Sequence, residues 1–135
     1  MYFAHAGQVS SVLGVSVQAG QHFGPSACWW SQMGTRSGTE VQRVDLTMIT
    51  IEAFNMGKTS MTRGETKITS SKVSGLGDDA YYYALTSGRQ NVTELHVKKG
   101  SAAFIVYVHR RGGIFSIDQV KAMEKNLAQD VLAKL

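Results

Sequence analysis

The stretch from residue 73 to residue 108 limits what this chain can fold into more than any other part of it. Three runs rich in aromatic and β-branched residues, 73–83, 93–98 and 102–108, are separated by turn-forming segments at Ser87-Gly88-Arg89-Gln90-Asn91 and Lys99-Gly100. Short runs of this kind divided by glycine turns are the pattern of successive antiparallel strands joined by hairpins. The last run is apolar on both parities, with Phe104, Val106 and Val108 alternating with Ile105 and Tyr107, so it is expected to be covered on both faces. The middle run puts Leu95 and Val97 on one parity and Glu94, His96 and Lys98 on the other, which predicts a half-exposed strand.

The segment after these strands supplies a cover. Ser116 followed three residues later by Gln119 is a capping box, in which each side chain satisfies a free amide at a helix start. Beyond it, Ile117, Val120, Met123, Leu127, Val131 and Leu135 form an apolar stripe. Lys121, Glu124, Lys125, Gln129 and Asp130 lie largely off that stripe. The spacing predicts a long amphipathic helix docked on the sheet. A homodimer that swaps or pairs this helix would cover the same stripe.

The front half is read the same way. Residues 4–13 place Ala6, Val9, Val12 and Leu13 at helical spacing, with Gly14 at the C-terminal cap position. Residues 15–19 alternate as a strand, 20–25 break it, 27–33 form a second strand, and 34–38 turn the chain back. Residues 41–51 are a long strand whose apolar phase shifts near Ile49 and Ile51, the mark of a β-bulge or of cover on both faces. Residues 53–61 suit a short helix. The polar, Ser/Thr/Lys-rich segment 62–74 lacks apolar periodicity and is expected to be a surface loop, with at most a weak edge strand at 67–73. Together these elements predict one α+β domain over 1–135, a mainly antiparallel sheet flanked by an N-terminal helix and a long C-terminal helix.

Composition narrows the functional classes. With 135 residues, 43% hydrophobic and 18% charged, the chain can bury a core of its own, and no run is long enough to cross a bilayer. The net charge of +4 is spread along the chain and argues against specific nucleic-acid binding. Only Lys58, Arg63, Lys67 and Lys72, offset by Glu65 alone, gather in one polar stretch, and these four are the anion-binding candidates. The single cysteine, Cys28, excludes an intrachain disulfide and a cysteine-based metal site, and beside Trp29 it reads as a small buried hydrophobe. The N-terminal residues lack the charged and apolar regions of a signal peptide. The expected location is cytoplasmic for the chain as it stands, or periplasmic or secreted for the mature part of an exported protein.

Motifs with chemistry are few. Gly75, Gly77 and Ala80 match a dinucleotide-binding fingerprint in letters, but Tyr81, Tyr82 and Tyr83 follow where a helix would have to start, so a turn is expected. His5, His22, His96 and His109 show no metal-ligand spacing, and neither metal nor cofactor is expected. Asp78 and Asp79 resemble an acid-base pair, although acids beside a glycine more often close a turn through their backbone. Trp29, Trp30 and Tyr82 alternate on strands, so a ring that no helix covers would line a cleft and could hold a ligand.

Val73-Ser-Gly-Leu-Gly-Asp-Asp-Ala-Tyr-Tyr82, then Leu95-His-Val-Lys-Lys-Gly100 and the closing 127–135, resemble small exported bacterial proteins and lipoproteins of uncharacterised function. Val9-Ser-Ser-Val-Leu-Gly14 and Cys28-Trp-Trp30 agree with the same pattern. The resemblance implies a sheet flanked by helices, similar to the PsbP/Mog1-like sandwich, and brings no catalytic residues. The function expected from all this is a non-catalytic module that binds a small molecule or a protein through an exposed sheet face or the segment 57–72. The alternative is a small hydrolase or isomerase built from Asp78, Asp79, His96 and His109.

Overall fold

The computed structural model describes residues 21–23, 27–31, 43–88, 90–109 and 116–133. They form strands β1 (Gln21–Phe23), β2 (Ala27–Ser31), β3 (Arg43–Ile49), β4 (Met61–Arg63), β5 (Thr66–Lys72), β6 (Asp79–Ser87), β7 (Gln90–Lys99) and β8 (Ala102–His109). Helix α1 (Ile51–Met56) lies between β3 and β4, and helix α2 (Ile117–Leu132) follows β8. The fold is α+β. All these strands share one antiparallel sheet in the order β1-β2-β3-β8-β7-β6-β5-β4. The helix expected at 4–13, the strand at 15–19 and the turn at 34–38 lie outside the described residues.

The strand order dictates where the helices go. β3 sits in the middle of the sheet while β4, the next strand in sequence, is its edge. The connection between them must cross β8, β7, β6 and β5 over one face. Helix α1 lies in that crossover and packs on β7 and β8, and α2 packs on the same two strands. Alternation along the strands keeps the helices apart. Leu95, Val97, Phe104, Val106 and Val108 join the cluster under α2 with Val120, Leu127 and Val131, whereas Tyr81 and Ala103 join Phe54 of α1. Each such large apolar side chain stabilises the fold by about 1.5–3 kcal/mol on burial. Thus β8 is covered from both sides, as its sequence requires. No helix among the described residues is long and apolar enough to cross a membrane.

Local signals explain most boundaries. The capping box is formed: Gln119 N–H donates to Ser116 Oγ at 3.2 Å, and Ser116 N–H donates to Gln119 Oε1 at 2.8 Å. The turn read at Gly75 and Gly77 is also present. Gly77 has φ +60, and a Cβ there would stand 2.6 Å from the Lys98 carbonyl oxygen, so only glycine fits between the turn and β7. Cys28 is buried in the larger core cluster.

Five expectations are corrected. The phase shift near Ile49 is not a bulge, because β3 keeps an unbroken register with β8 from Arg43↔His109 to Ile49↔Ala103. The strand simply ends there, Thr50 caps α1 by accepting from Ala53 N–H at 3.0 Å, and α1 therefore starts earlier and ends sooner than 53–61. Within the break expected at 20–25, Gln21–Phe23 pairs with β2 as an edge strand. The segment 62–74 is mostly not a loop: the weak edge strand expected at 67–73 is the full strand β5, with seven ladder pairs to β6, and β4 pairs outside it as a hairpin. Near the edge of a sheet both faces meet water, so no apolar period is needed to form a strand. Finally, Glu124 belongs to the buried stripe of α2, being 0% exposed. Val120, Glu124, Leu127, Ala128 and Val131 are the buried residues of α2, spaced by three or four, and Met123 only packs partly against them.

Candidate functional site

The α1 face of the sheet gathers most of the polar chemistry. Hairpin register sets it out: Tyr81 stands opposite His96 and Tyr83 opposite Glu94 across β6–β7, while Glu94 faces Tyr107 across β7–β8. Tyr107 is next to Asp45 of β3, and Arg43 is next to His109. A row of aromatic and ionisable side chains thus runs across four strands.

Its buried part is a hydrogen-bonded chain. Tyr81 is 2% exposed, and its hydroxyl donates to the Phe54 carbonyl at 2.6 Å. His96, 6% exposed, places Nδ1 2.9 Å from the same hydroxyl and Nε2 2.9 Å from Glu94 Oε2. A carbonyl can only accept, so the single Tyr81 proton points to Phe54 and His96 Nδ1–H donates to the Tyr81 oxygen. At its other nitrogen the ring meets the Glu94 carboxylate, so the chain runs from Phe54 through Tyr81 and His96 to Glu94. Tyr83 stacks on this ring with centroids 5.2 Å apart. Burial, together with the nearby Glu94 charge, pushes the Tyr81 hydroxyl up to about 12, which keeps it a proton donor. The half-exposed strand expected at 93–98 is corrected here, since α1 and Tyr81 cover His96.

Gly57 shows how closely α1 sits on this chain. A Cβ at that position would lie 2.2 Å from the Tyr81 hydroxyl oxygen. The helix therefore ends at a glycine so that its last turn can rest on Tyr81. One residue on, Lys58 makes an ion pair with Asp79, and its ammonium lies 5.1 Å from the centre of the Phe54 ring. That ion pair holds the Asp79 carboxyl below its usual range.

Beside α1 an open cleft of about 340 Å3 is lined by Lys58, Ser70, Lys72, Asp79, Ala80 and Tyr81. β5 contributes Lys72, opposite Tyr81, and Ser70, opposite Tyr83. A second ionic group sits further along the face. His109 Nε2 is 2.6 Å from Asp45 Oδ2, Arg43 Nε donates to Asp45 Oδ1 at 2.7 Å, and Tyr107 stacks on His109 at 3.8 Å. Burial alone would raise the Asp45 carboxyl, but its bonds to His109 and Arg43 outweigh this and hold it low.

Among the candidates named from the sequence, Lys58 and Lys72 converge on the cleft, with Asp79 between them. Arg63 is exposed on the edge strand β4, and Lys67 alternates to the other face of β5 from Lys72. Asp78 closes the turn instead: it accepts from Gly100 N–H at 2.6 Å, and its own N–H donates to Lys98 O at 2.8 Å. His96 and His109 share the face but bind different carboxylates. Tyr82 is on the α2 side, where its hydroxyl donates to the Lys121 carbonyl at 2.8 Å, so it anchors the helix instead of lining a cleft. Trp29 and Trp30 pair with Asp45 and Val44 across β2–β3; their rings lie outside the described residues. Tyr81, Glu94, Asp45 and Ser70 were not named as candidates. The two-residue loop between Ser87 and Gln90 fixes Tyr81 against His96 by counting alone, so that pair was within reach of the sequence.

Among the described residues no group of three metal-ligating side chains is gathered. No protein-family model, curated protein or solved structure matches the chain. The reading of the site therefore rests on its own geometry.

Proposed function

We propose that this protein is a non-catalytic binding module whose small-molecule site is the cleft between α1, β5 and β6. The observation that carries the reading is the arrangement of Lys58, Ser70, Lys72 and Asp79 around one cavity, backed by a hydrogen-bonded chain that fixes the wall behind it. Preformed concave sites with a few convergent polar groups are the usual place for small ligands. The hydrolase or isomerase alternative draws less support. Of its four candidate residues only Asp79 lines the cleft, and that carboxyl is engaged by Lys58, while Tyr81 is pushed away from acting as a base.

A library of polar small molecules screened by ligand-observed NMR against the full chain tests this. Binders are expected, and they should lose their signal in a Ser70→Trp variant, whose indole would fill the cleft. Binders indifferent to Ser70→Trp would move the ligand surface elsewhere.

A further inference from the structure

We infer that the ligand of this cleft carries an oxyanion, a carboxylate, phosphate or sulfate group held between Lys58 and Lys72 on a short polar body; this rests on the binding reading above. The lining brings two ammonium groups and one carboxylate, a net single positive charge. Asp79 is already engaged with Lys58, so the cleft offers little to a cation. A lysine has three N–H donors, and the pair with Asp79 uses one of them. The Lys72 ammonium makes no hydrogen bond or ion pair among the described residues, acting on Asp79 only through its charge, and Ser70 lines the same cavity.

Lys58 is held in place before any ligand arrives. Asp79 grips its ammonium, the Phe54 ring lies beneath it, and Phe54 is fixed in turn by the bond from Tyr81 to its carbonyl. Ordering a free lysine opposes binding through lost side-chain entropy, and here that ordering belongs to the fold. The β5 wall is held by its ladder to β6, and Ser70 N–H adds a bond to Ser60 Oγ at 3.0 Å. Tyr81 is thus a positioning residue for the site.

Size and charge layout limit the ligand further. A cavity of about 340 Å3 is at the small end of ligand sites and exceeds what a bare inorganic anion fills. Lys67 and Arg63 do not continue the two lysines into a track, which separates a single anionic group from a nucleic-acid backbone.

The test is a titration of the isotope-labelled full chain at constant ionic strength with inorganic phosphate, methyl phosphate and acetate. Methylammonium and glycerol serve as cationic and neutral probes. The oxyanions should shift the amides of Lys58, Ser70 and Lys72, methyl phosphate most strongly. Loss of one ammonium should weaken binding about fivefold or more in Lys72→Gln, against less than about twofold in Lys67→Gln. Tyr81→Phe should weaken it while Lys72 remains in place, a response that a purely structural role for the hydroxyl would not give once folding is confirmed. If methylammonium or glycerol shifts these amides and the oxyanions do not, the ligand class is overturned and the binding cleft stands. If no probe of any class shifts them, both readings fall. Equal weakening by Lys67→Gln and Lys72→Gln would mean diffuse surface attraction and would also overturn the inference.

Discussion

The two faces of this sheet treat buried polar groups in opposite ways. On the α1 face, Tyr81, His96 and Glu94 are joined by bonds of 2.6–2.9 Å that end on the Phe54 carbonyl. On the α2 face, Thr93 Oγ1 and Glu124 Oε1 are buried without a hydrogen-bond partner among the described residues. The contrast separates two uses of a protein interior. A satisfied network makes positions definite, which suits the wall of a binding site. An apolar layer derives its stability from area and can carry an orphan atom at a cost of about 1–3 kcal/mol.

Glu124 should give the largest effect that tests this contrast. Its carboxyl is 0% exposed and makes one bond, accepting from Val108 N–H at 3.0 Å. Burial pushes its pKa from 4.5 up to about 9. The charges that act on it are Lys121 on its own helix, which lowers it, and Glu94, which raises it from the other face of the sheet; Tyr82 on the α2 side is itself raised to about 12 by burial and by this carboxyl. With a raised folded-state value, the native protein keeps a proton that the unfolded chain releases. The resulting stability is complete below about pH 4.5 and is lost progressively as the pH rises towards 9, by at most about 1.4 kcal/mol per unit. Glu124→Gln, neutral and nearly isosteric, should flatten that slope and unfold at higher denaturant than the parent at pH 8. Parallel denaturation profiles for the two proteins between pH 5 and 9 would mean the acid is not kept neutral under α2.

Leu127→Ala is expected to come next. Leu127 is 2% exposed within the α2 cluster, and truncating such a residue typically costs about 2–5 kcal/mol, a large part of a total stability of about 5–15 kcal/mol. Lys125→Ala on the same helix should change the unfolding midpoint little. An unchanged midpoint for Leu127→Ala would make α2 a loosely docked element and undo its role as the stabilising layer.

On the other face, Tyr81→Phe removes one oxygen and leaves the Phe54 carbonyl and His96 Nδ1 without that partner. A loss of about 1–3 kcal/mol is expected, with faster amide exchange in α1 and no loss of protection in α2. Loss spread evenly over both helices would show that the two faces are not separable in the way their hydrogen bonds suggest.

The same contrast explains what the sequence disclosed. Hairpin turns near Ser87–Gln90 and at Lys99–Gly100, strands with β-branched and aromatic runs, and the Ser116/Gln119 capping box are local signals, and all are present, although β6 runs over Asp79–Ser87 instead of 73–83 and β7 takes in Gln90 and Asn91 of the expected turn. Glu124 was misplaced because a charged letter inside an apolar stripe reads as the polar edge of a helix. β4 was missed, and β5 was expected only as a weak edge strand, because hydrogen bonds to a neighbour, not apolar spacing, make a strand near an edge. The site was half legible for a related reason. Four basic residues were visible as a group, but only strand parity and the path of the crossover decide that Lys58 and Lys72 meet while Lys67 and Arg63 do not.

The smallest expected effect concerns Ser60, which joins the crossover to β5. Its hydroxyl accepts from Ser70 N–H at 3.0 Å in an exposed setting, so water can take its place and the net contribution should be at or below about 0.5–1 kcal/mol. Global stability should therefore hardly change in Ser60→Ala. The local outcome is more informative: the Ser70 amide should exchange faster, while other β5 amides paired to β6 keep their protection. A segment that behaved as the mobile loop expected from its polarity would instead show fast exchange throughout 66–72 in the parent protein, with no further change in the variant. Protection in the parent that Ser60→Ala removes only at Ser70 would mean that the cleft wall owes its form to the sheet, with the crossover adding a single adjustable tie.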